Sequence, residues 1–348
     1  MSTDLVATAL SGSLFGSALL VSGVYSPSVI SSQLLLSDFH MLKVFLTASA
    51  SSAVLMAIAK RTDVSPCSPR KPSNLNRWHR YDGNVIGGLL LGSGMALTGA
   101  CPGTVLVQIA TGVSSGLPVL GGGILGGILW TRFGYCAKCT TLPASADAKE
   151  GCDCAEEKLT VYESANLKES QGVLIYELVC LAMIVSASYL VPHSIGSQRL
   201  HPVLGGLLIG AAQGASLILT GGSIGVSTAY ERVGQYICRF TGLGSRKSSS
   251  WPSLNPVIFV LGMLGGSWGL GQAMGVKVLE ETVHISLTSA IIGGAALILG
   301  ARTAGGCTSG HGISGMATLS KSSFVTVGAM FAGGLEHPCS FSTCYSAQ

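Results

Sequence analysis

The sequence predicts an all-α integral membrane protein of about nine transmembrane helices plus four short re-entrant helices, in two inverted pseudo-symmetric halves. Three observations predict it. Only 10% of the 348 residues are Asp, Glu, Lys or Arg, while 48% are hydrophobic and Gly contributes 48 residues. Apolar runs long enough to cross a bilayer recur along the chain, and one glycine spacing occurs four times. A soluble fold of this size cannot cover its surface with so few charges, so a cytosolic enzyme, a disordered chain and a nucleic-acid binder are excluded. The 11 Cys do not suggest a secreted disulfide scaffold, because the chain is too long and too apolar.

A spanning helix needs about 20 mostly apolar residues. Nine candidates follow in order: 4–24, 39–59, 83–100, 115–133, 172–191, 203–221, 253–275, 283–301 and 322–335, the last short and Gly-rich. The first does not read as a cleaved signal peptide: it lacks a basic leader, carries Asp4 and is followed by many more spans. Four Ser/Gly-rich stretches, 26–37, 102–113, 223–235 and 308–320, are too short to cross alone. Such backbone is tolerated at membrane depth only where protein or a cavity satisfies its polar groups, so these read as re-entrant half-helices.

The internal repeat is the strongest signal. Gly12, Gly16 and Gly23 are spaced by four and seven residues. Gly88, Gly92 and Gly99 repeat the spacing, as do Gly210, Gly214 and Gly221, and Gly294, Ile298 and Gly305 repeat it with one substitution. Glycines four apart are also a common helix-packing face. Four matches, each closing an apolar run before a short polar helix, go beyond that. Two residues past each last Gly come Tyr25, Cys101, Ser223 and Cys307, so Cys occupies the second member of each pair. The organisation read from this is a first half, 1–133; a Cys-containing loop, 134–171; a linking span, 172–191; a second half, 192–335; and a tail, 336–348.

Charge orients the chain. With each re-entrant returning to the face it left, sixteen of the twenty Lys and Arg fall on one face with the N-terminus. That face is cytoplasmic by the positive-inside rule. An odd number of spans precedes the second half and inverts it, the arrangement of transporters whose substrate site lies at the repeat interface near the midplane. The plasma (inner) membrane is the expected location. The basic loop 60–82 serves topology and contact with anionic membrane lipid.

Cys101 and Cys307 each sit at a Gly-rich break where a short helix begins. Gly99, Gly305 and Gly306 let the backbone turn sharply and approach a ligand. A helix start presents free N–H groups and partial positive charge to an anion, and a thiol adds a weak, polarizable donor. The expected substrate is small, anionic and soft, because a hard anion is usually met by Arg or Lys clamps. A thiolate would repel it, so both thiols are expected to stay protonated or to avoid full ionisation. Cys180, mid-span, reads instead as a small buried hydrophobe.

The stretch Gly-Ala-Arg-Thr-Ala-Gly-Gly-Cys-Thr-Ser-Gly-His-Gly-Ile-Ser-Gly at 300–315 closely resembles the signature of the YeeE/YedE sulfur-transport family. Gly-Gly-Leu-Leu-Leu-Gly-Ser-Gly-Met-Ala-Leu-Thr-Gly-Ala-Cys-Pro-Gly at 87–103 is similar to its partner motif. The resemblance implies an integral-membrane protein that takes up thiosulfate, with Cys side chains relaying the ion through hydrogen bonds; motif matching carries that role to Cys101 and Cys307. Members often have a third pore Cys near the first repeat, where this chain has Tyr25 and Ser26 and no Cys before Cys67. A three-thiol relay is therefore not carried over, and Tyr25 or Ser26 is available as a hydroxyl donor.

Around the motif, Arg302 either attracts the ion or caps carbonyls in the break, and an intramembrane Arg is a functional candidate by default. His311 donates to the ion or packs structurally. Thr308 and Ser309 head the last short helix as natural N-caps, and Ser223 stands in the same role in the third unit. Cys136-x-x-Cys139 with Cys152-x-Cys154 leaves three readings: a zinc site, which the one-residue second gap weakens, a sulfur-handling site, or a loop of reduced thiols. Cys339 and Cys344 lie in the tail, paired or not. No resident metal or cofactor is expected, and no enzymatic activity. Expected partners are thiosulfate or a related small anion, membrane lipid, and a cytoplasmic sulfur-handling protein, with no nucleic acid. The competing functions are transport of another sulfur or selenium species, or a membrane sulfurtransferase using the loop cysteines. Glu177 is the acidic residue expected well inside a span, either coupling to protons or lying near the interface.

Overall fold

A computed structural model describes residues 2–62, 68–134, 158–190, 200–222, 225–242, 251–276 and 285–335. Ser223, the loop cysteines Cys136, Cys139, Cys152 and Cys154, and Cys339 and Cys344 lie outside them. The helices, numbered in chain order, are α1 (Ser2–Ser22), α2 (Pro27–Leu34), α3 (His40–Arg61), α4 (Asp82–Thr98), α5 (Thr104–Thr111), α6 (Gly116–Leu129), α7 (Val161–Ser164), α8 (Glu169–Leu190), α9 (Pro202–Thr220), α10 (Ser227–Phe240), α11 (Asn255–Ala273), α12 (Leu287–Ala304) and α13 (Lys321–Leu335). A π turn, Trp130–Gly134, extends α6, and a π-helix, Thr308–Gly315, lies between α12 and α13. Among the described residues extended pairing is limited to an isolated bridge between Thr160 and Ser320.

Helices occupy all nine expected span positions. Six of them, in α1, α3, α8, α9, α11 and α12, are long and apolar enough to cross a membrane. The other three are shorter: α4 has 17 residues, α6 has 14 and α13 has 15. Short helices also follow each break, as α2, α5, α10 and the π-helix, and α10 runs past the expected 235 to Phe240.

The repeat glycines explain where these helices stop. Gly23, Gly99, Gly221 and Gly305 all have positive φ, from 54° to 87°. A left-handed residue just past a helix ends it and is least costly for Gly. At Gly99 and Gly305 the N–H returns to the preceding helix, to the carbonyls of Met95 and Arg302. Pro27 and Pro202, in the first turns of α2 and α9, start helices where the missing N–H costs nothing.

Packing relates α1–α6 to α9–α13 in an ordered way. Helix α1 packs on α11 as α9 packs on α3; α4 packs on α13 as α12 packs on α6. Likewise α5 meets α11 as the π-helix meets α3, while α4 meets α12 and α1 meets α9. Small residues permit the closest of these crossings: a Cβ at Gly94 would stand 2.7 Å from the Leu297 backbone N, and one at Gly300 would meet Leu91. Helix α8 packs chiefly on α3 and leaves Leu174, Ile175, Leu178 and Leu181 exposed, as a lipid-facing helix would.

Candidate functional site

Two of the four breaks open onto one partly open cavity of about 50 Å³. Its walls are mostly apolar, with Phe15 and Leu19 of α1, Met41, Phe45 and Ala48 of α3, Ile209 of α9 and Ile313 of the π-helix. Its polar lining comes from Cys101 and Thr104 at one break and Thr308 and Ser309 at the other. Thr104 and Thr308 are the first residues of α5 and of the π-helix, and neither helix start carries a side-chain cap. The starts of two helices therefore border a space large enough for a few waters. Among the described residues no charged side chain lines the cavity.

Both motif thiols are free and buried, Cys101 at 8% exposure and Cys307 at 1%. The Cys101 sulfur accepts the Thr104 N–H at 3.4 Å, while the Thr104 hydroxyl accepts the Cys101 N–H at 2.8 Å. The Cys307 sulfur lies 3.2 Å from the Ser309 hydroxyl. It also meets the N–H groups of Gly310 and Ser227 and the Ser227 hydroxyl. Ser227 begins α10, so the starts of the third and fourth short helices meet at this sulfur. Tyr230, one turn along α10, donates its hydroxyl to the Pro102 carbonyl at 2.9 Å and lies within electrostatic reach of both Cys101 and Cys307. The first turn of α10 thus touches both cysteine breaks, through Tyr230 at Pro102 and Ser227 at Cys307.

The other expected residues separate into groups. Gly99 and Gly305 are the left-handed caps, and Gly306 lies where a Cβ would meet Arg70 and His311 within 3.0 Å. His311 is 1% exposed; its Nε2 is 3.1 Å from the Ala304 carbonyl and its Nδ1 is 3.0 Å from the Ser323 hydroxyl. A carbonyl only accepts, so Nε2 carries the proton and Nδ1 accepts from Ser323. Both ring nitrogens are thus engaged within the fold. Arg302 forms an ion pair with Glu231 and donates to the Thr228 hydroxyl at 3.4 Å. The carbonyl cap at this break comes from Arg70, whose Nη1 donates to Gly305 O at 3.0 Å. Tyr25 is buried in the core and its carbonyl accepts from Gln108; Ser26 pairs with Ser28. Glu177 is half-buried on α8, with one carboxylate oxygen lacking a hydrogen bond.

Sequence reasoning passed over Arg70, Gln108, Ser227, Tyr230 and Glu231. Gln108 carried a signal, being the lone amide in the apolar run Thr-Val-Leu-Val-Gln-Ile-Ala-Thr. Arg70 carried none, as one of six basic residues in a loop.

A sequence profile of the family described as "Sulphur transport" matches residues 21–335. A protein of Spirochaeta thermophila named "Thiosulfate transporter TsuA" is 24% identical over 333 residues, 91% of this chain and 92% of its own. A protein of Xylella fastidiosa named "Probable transporter" is 29% identical over 143 residues, 40% of this chain and 92% of its own.

Proposed function

The chain belongs to the sulphur-transport family, and we propose that it takes up thiosulfate through the cavity between its two cysteine breaks. The observation that carries this reading is the cavity itself. The Cys101 thiol and two helix starts line it, the Cys307 sulfur lies directly behind its Ser309 wall, and no charged side chain is in its lining among the described residues. The helix N–H groups favour an anion, and the thiols and aliphatic walls suit one with a soft sulfur end. The ion would be passed from Cys101 to Cys307 by hydrogen bonds, with no covalent step. The similarity over 91% of the chain to a protein named a thiosulfate transporter supports the same substrate.

Nine crossings in two inverted halves, 1–133 and 192–335, joined by the span at 172–191, fit the exchange-related packing. In this reading the breaks after α1 and α4 enter from outside, and those after α9 and α12 from the cytoplasm of a cell with the protein in its inner membrane. Lipid covers α8, and a cytoplasmic sulfur-handling protein receives the ion.

The experiment is uptake of radiolabelled thiosulfate by purified protein in liposomes, with unlabelled sulfate, selenite and sulfide as competitors. Saturable uptake that thiosulfate itself competes best is the expected result. Better competition by a selenium species would reassign the substrate. Thiosulfate turnover in detergent, with no gradient and dependent on Cys136 or Cys139, would replace transport by sulfur transfer.

A further inference from the structure

The strap formed by residues 68–81, which leads into α4, is built to hold one cation beneath the Cys307 break. The Ser320 and Ser322 hydroxyls both donate to the Arg70 carbonyl, at 2.8 and 2.9 Å. Three residues on, the Ser73 N–H donates to Asn84 Oδ1 at 2.8 Å and the Ser73 hydroxyl to the Thr303 carbonyl at 2.6 Å. These bonds fix the strap to α4, α12 and α13. The Arg70 guanidinium then lies over a cradle of glycines. A Cβ at Gly306 would stand 2.8 Å from its Nη1, and one at Gly310 would stand 3.1 Å from its Nη2. From there Arg70 is within electrostatic reach of both Cys307 and Arg302.

Arg302 approaches the same break from α12. Its partner Thr228 adjoins Ser227, which touches the Cys307 sulfur. Its Nε is buried without a hydrogen bond. Glu231 pairs with it and also accepts from Gln235, whose side-chain oxygen takes an N–H from Arg232. Among the described residues Glu231 is the carboxylate paired with Arg302, while the Arg70 guanidinium donates to a carbonyl rather than to a carboxylate. An uncompensated cation at a partly buried site is costly, and a bound anion relieves it. Guanidinium groups also recognise oxyanions in bidentate fashion.

We propose that Arg70 and Arg302 form a second anion subsite, on the basic-loop side of Cys307, with Glu231 holding Arg302 while the subsite is empty. The proposal rests on the thiosulfate reading above for its direction. Under that topology the guanidinium pair draws the ion off the thiols toward the cytoplasm. The chemistry recognised is an oxyanion, and the thiols upstream select for sulfur.

The test is a thermal-shift titration of the purified full-length protein with sodium thiosulfate, and separately with sodium sulfate, at constant ionic strength. Arg70→Gln and Arg302→Gln are each expected to raise the half-saturating thiosulfate concentration by about tenfold, the loss of one charge-assisted hydrogen bond. Glu231→Gln is expected to lower it, because the competing internal anion is gone. Arg70→Lys keeps the charge and the carbonyl cap and is expected to fall between wild type and Arg70→Gln, which separates anion recognition from folding. Unchanged binding by Arg70→Gln overturns the proposal. So do Arg302→Gln and Glu231→Gln moving binding in the same direction, the mark of a structural ion pair. A wild type that binds neither anion also overturns it. Sulfate binding that depends on Arg70, without thiosulfate binding, upholds the subsite and removes the thiosulfate reading instead.

Discussion

Replacing Gln108 by Leu should loosen the join between the first two breaks. The side chain is fully buried in α5, and its amide nitrogen donates to the Tyr25 carbonyl at 2.8 Å and the Gly99 carbonyl at 3.0 Å. Leucine keeps the volume and removes both donors. A buried carbonyl left short of a donor costs about 1–3 kcal/mol, and hydrogen bonds between membrane helices run lower, near 0.6 kcal/mol on average. Part of the loss is offset, because the Gln108 side-chain oxygen has no partner and its removal is favourable. The net expectation is about 1–4 kcal/mol of destabilisation, or roughly 2–8 °C in Tm at about 2 °C per kcal/mol. Gln213 is the matched control. It is equally buried, yet neither its nitrogen nor its oxygen is hydrogen-bonded. It occupies the repeat position held elsewhere by Phe15, Leu91 and Leu297, all fully buried. Gln213→Leu should therefore be neutral or stabilising by about 1 kcal/mol. The assay is thermal unfolding of both variants in one detergent, alongside thiosulfate uptake in liposomes. If Gln108→Leu melts at or above wild type and transports normally, or if the two variants shift alike, the cross-tie has no role.

Close packing of α6 on α12 gives a second test. A Cβ at Gly122 would run into the Ile291 carbonyl, whereas nothing lies within 4 Å of one at Gly121. Gly122→Ala should cost about 1–3 kcal/mol of stability by overpacking, and Gly121→Ala should be neutral or gain up to about 1 kcal/mol of helix propensity; melting temperatures decide. Gly306→Ala should push the Arg70 guanidinium off its cradle, weakening anion binding as Arg70→Gln does. At the tether from α7 to α13, the Thr160 N–H donates to Glu163 at 3.0 Å and holds that carboxyl below its usual range. A carboxyl with a lowered folded-state pKa stabilises above its unfolded pKa, and this contribution is lost as pH falls through the folded value. Intrinsic-rate-corrected amide exchange at Val161 and Lys321, whose N–H groups bond Leu319 and Leu159, should hold steady from neutral pH to about pH 5 and speed up as pH falls below about 4. Unchanged protection would mean the capping box does not hold the tether.

Much of this fold was legible because a left-handed residue after a helix leaves a mark in the sequence. Gly23, Gly99, Gly221 and Gly305 stood at one position in each repeat and all cap helices in that conformation. The cysteines two residues beyond were found by the same alignment. Contacts across the chain left no such mark. Arg70 meets the carbonyl of Gly305 across 235 residues, and Gln108 meets that of Tyr25 across 83. Arg302 was recognised as intramembrane, but its partner sits in a stretch read as a polar half-helix, and only the approach of α10 to α12 brings Glu231 to it. The partners of His311 left no mark either, since a pattern of spacing cannot show that Ala304 O and the Ser323 hydroxyl lie within reach of its two ring nitrogens.

The most direct measurement is the initial rate of radiolabelled thiosulfate uptake into liposomes by wild type, Cys101→Ala and Cys307→Ala, each checked for equal insertion. With the ion passing between the two thiols, each variant should lose at least about tenfold in rate, the equivalent of one hydrogen bond withheld at the constriction. Wild-type rates from both variants would show that neither sulfur touches the ion.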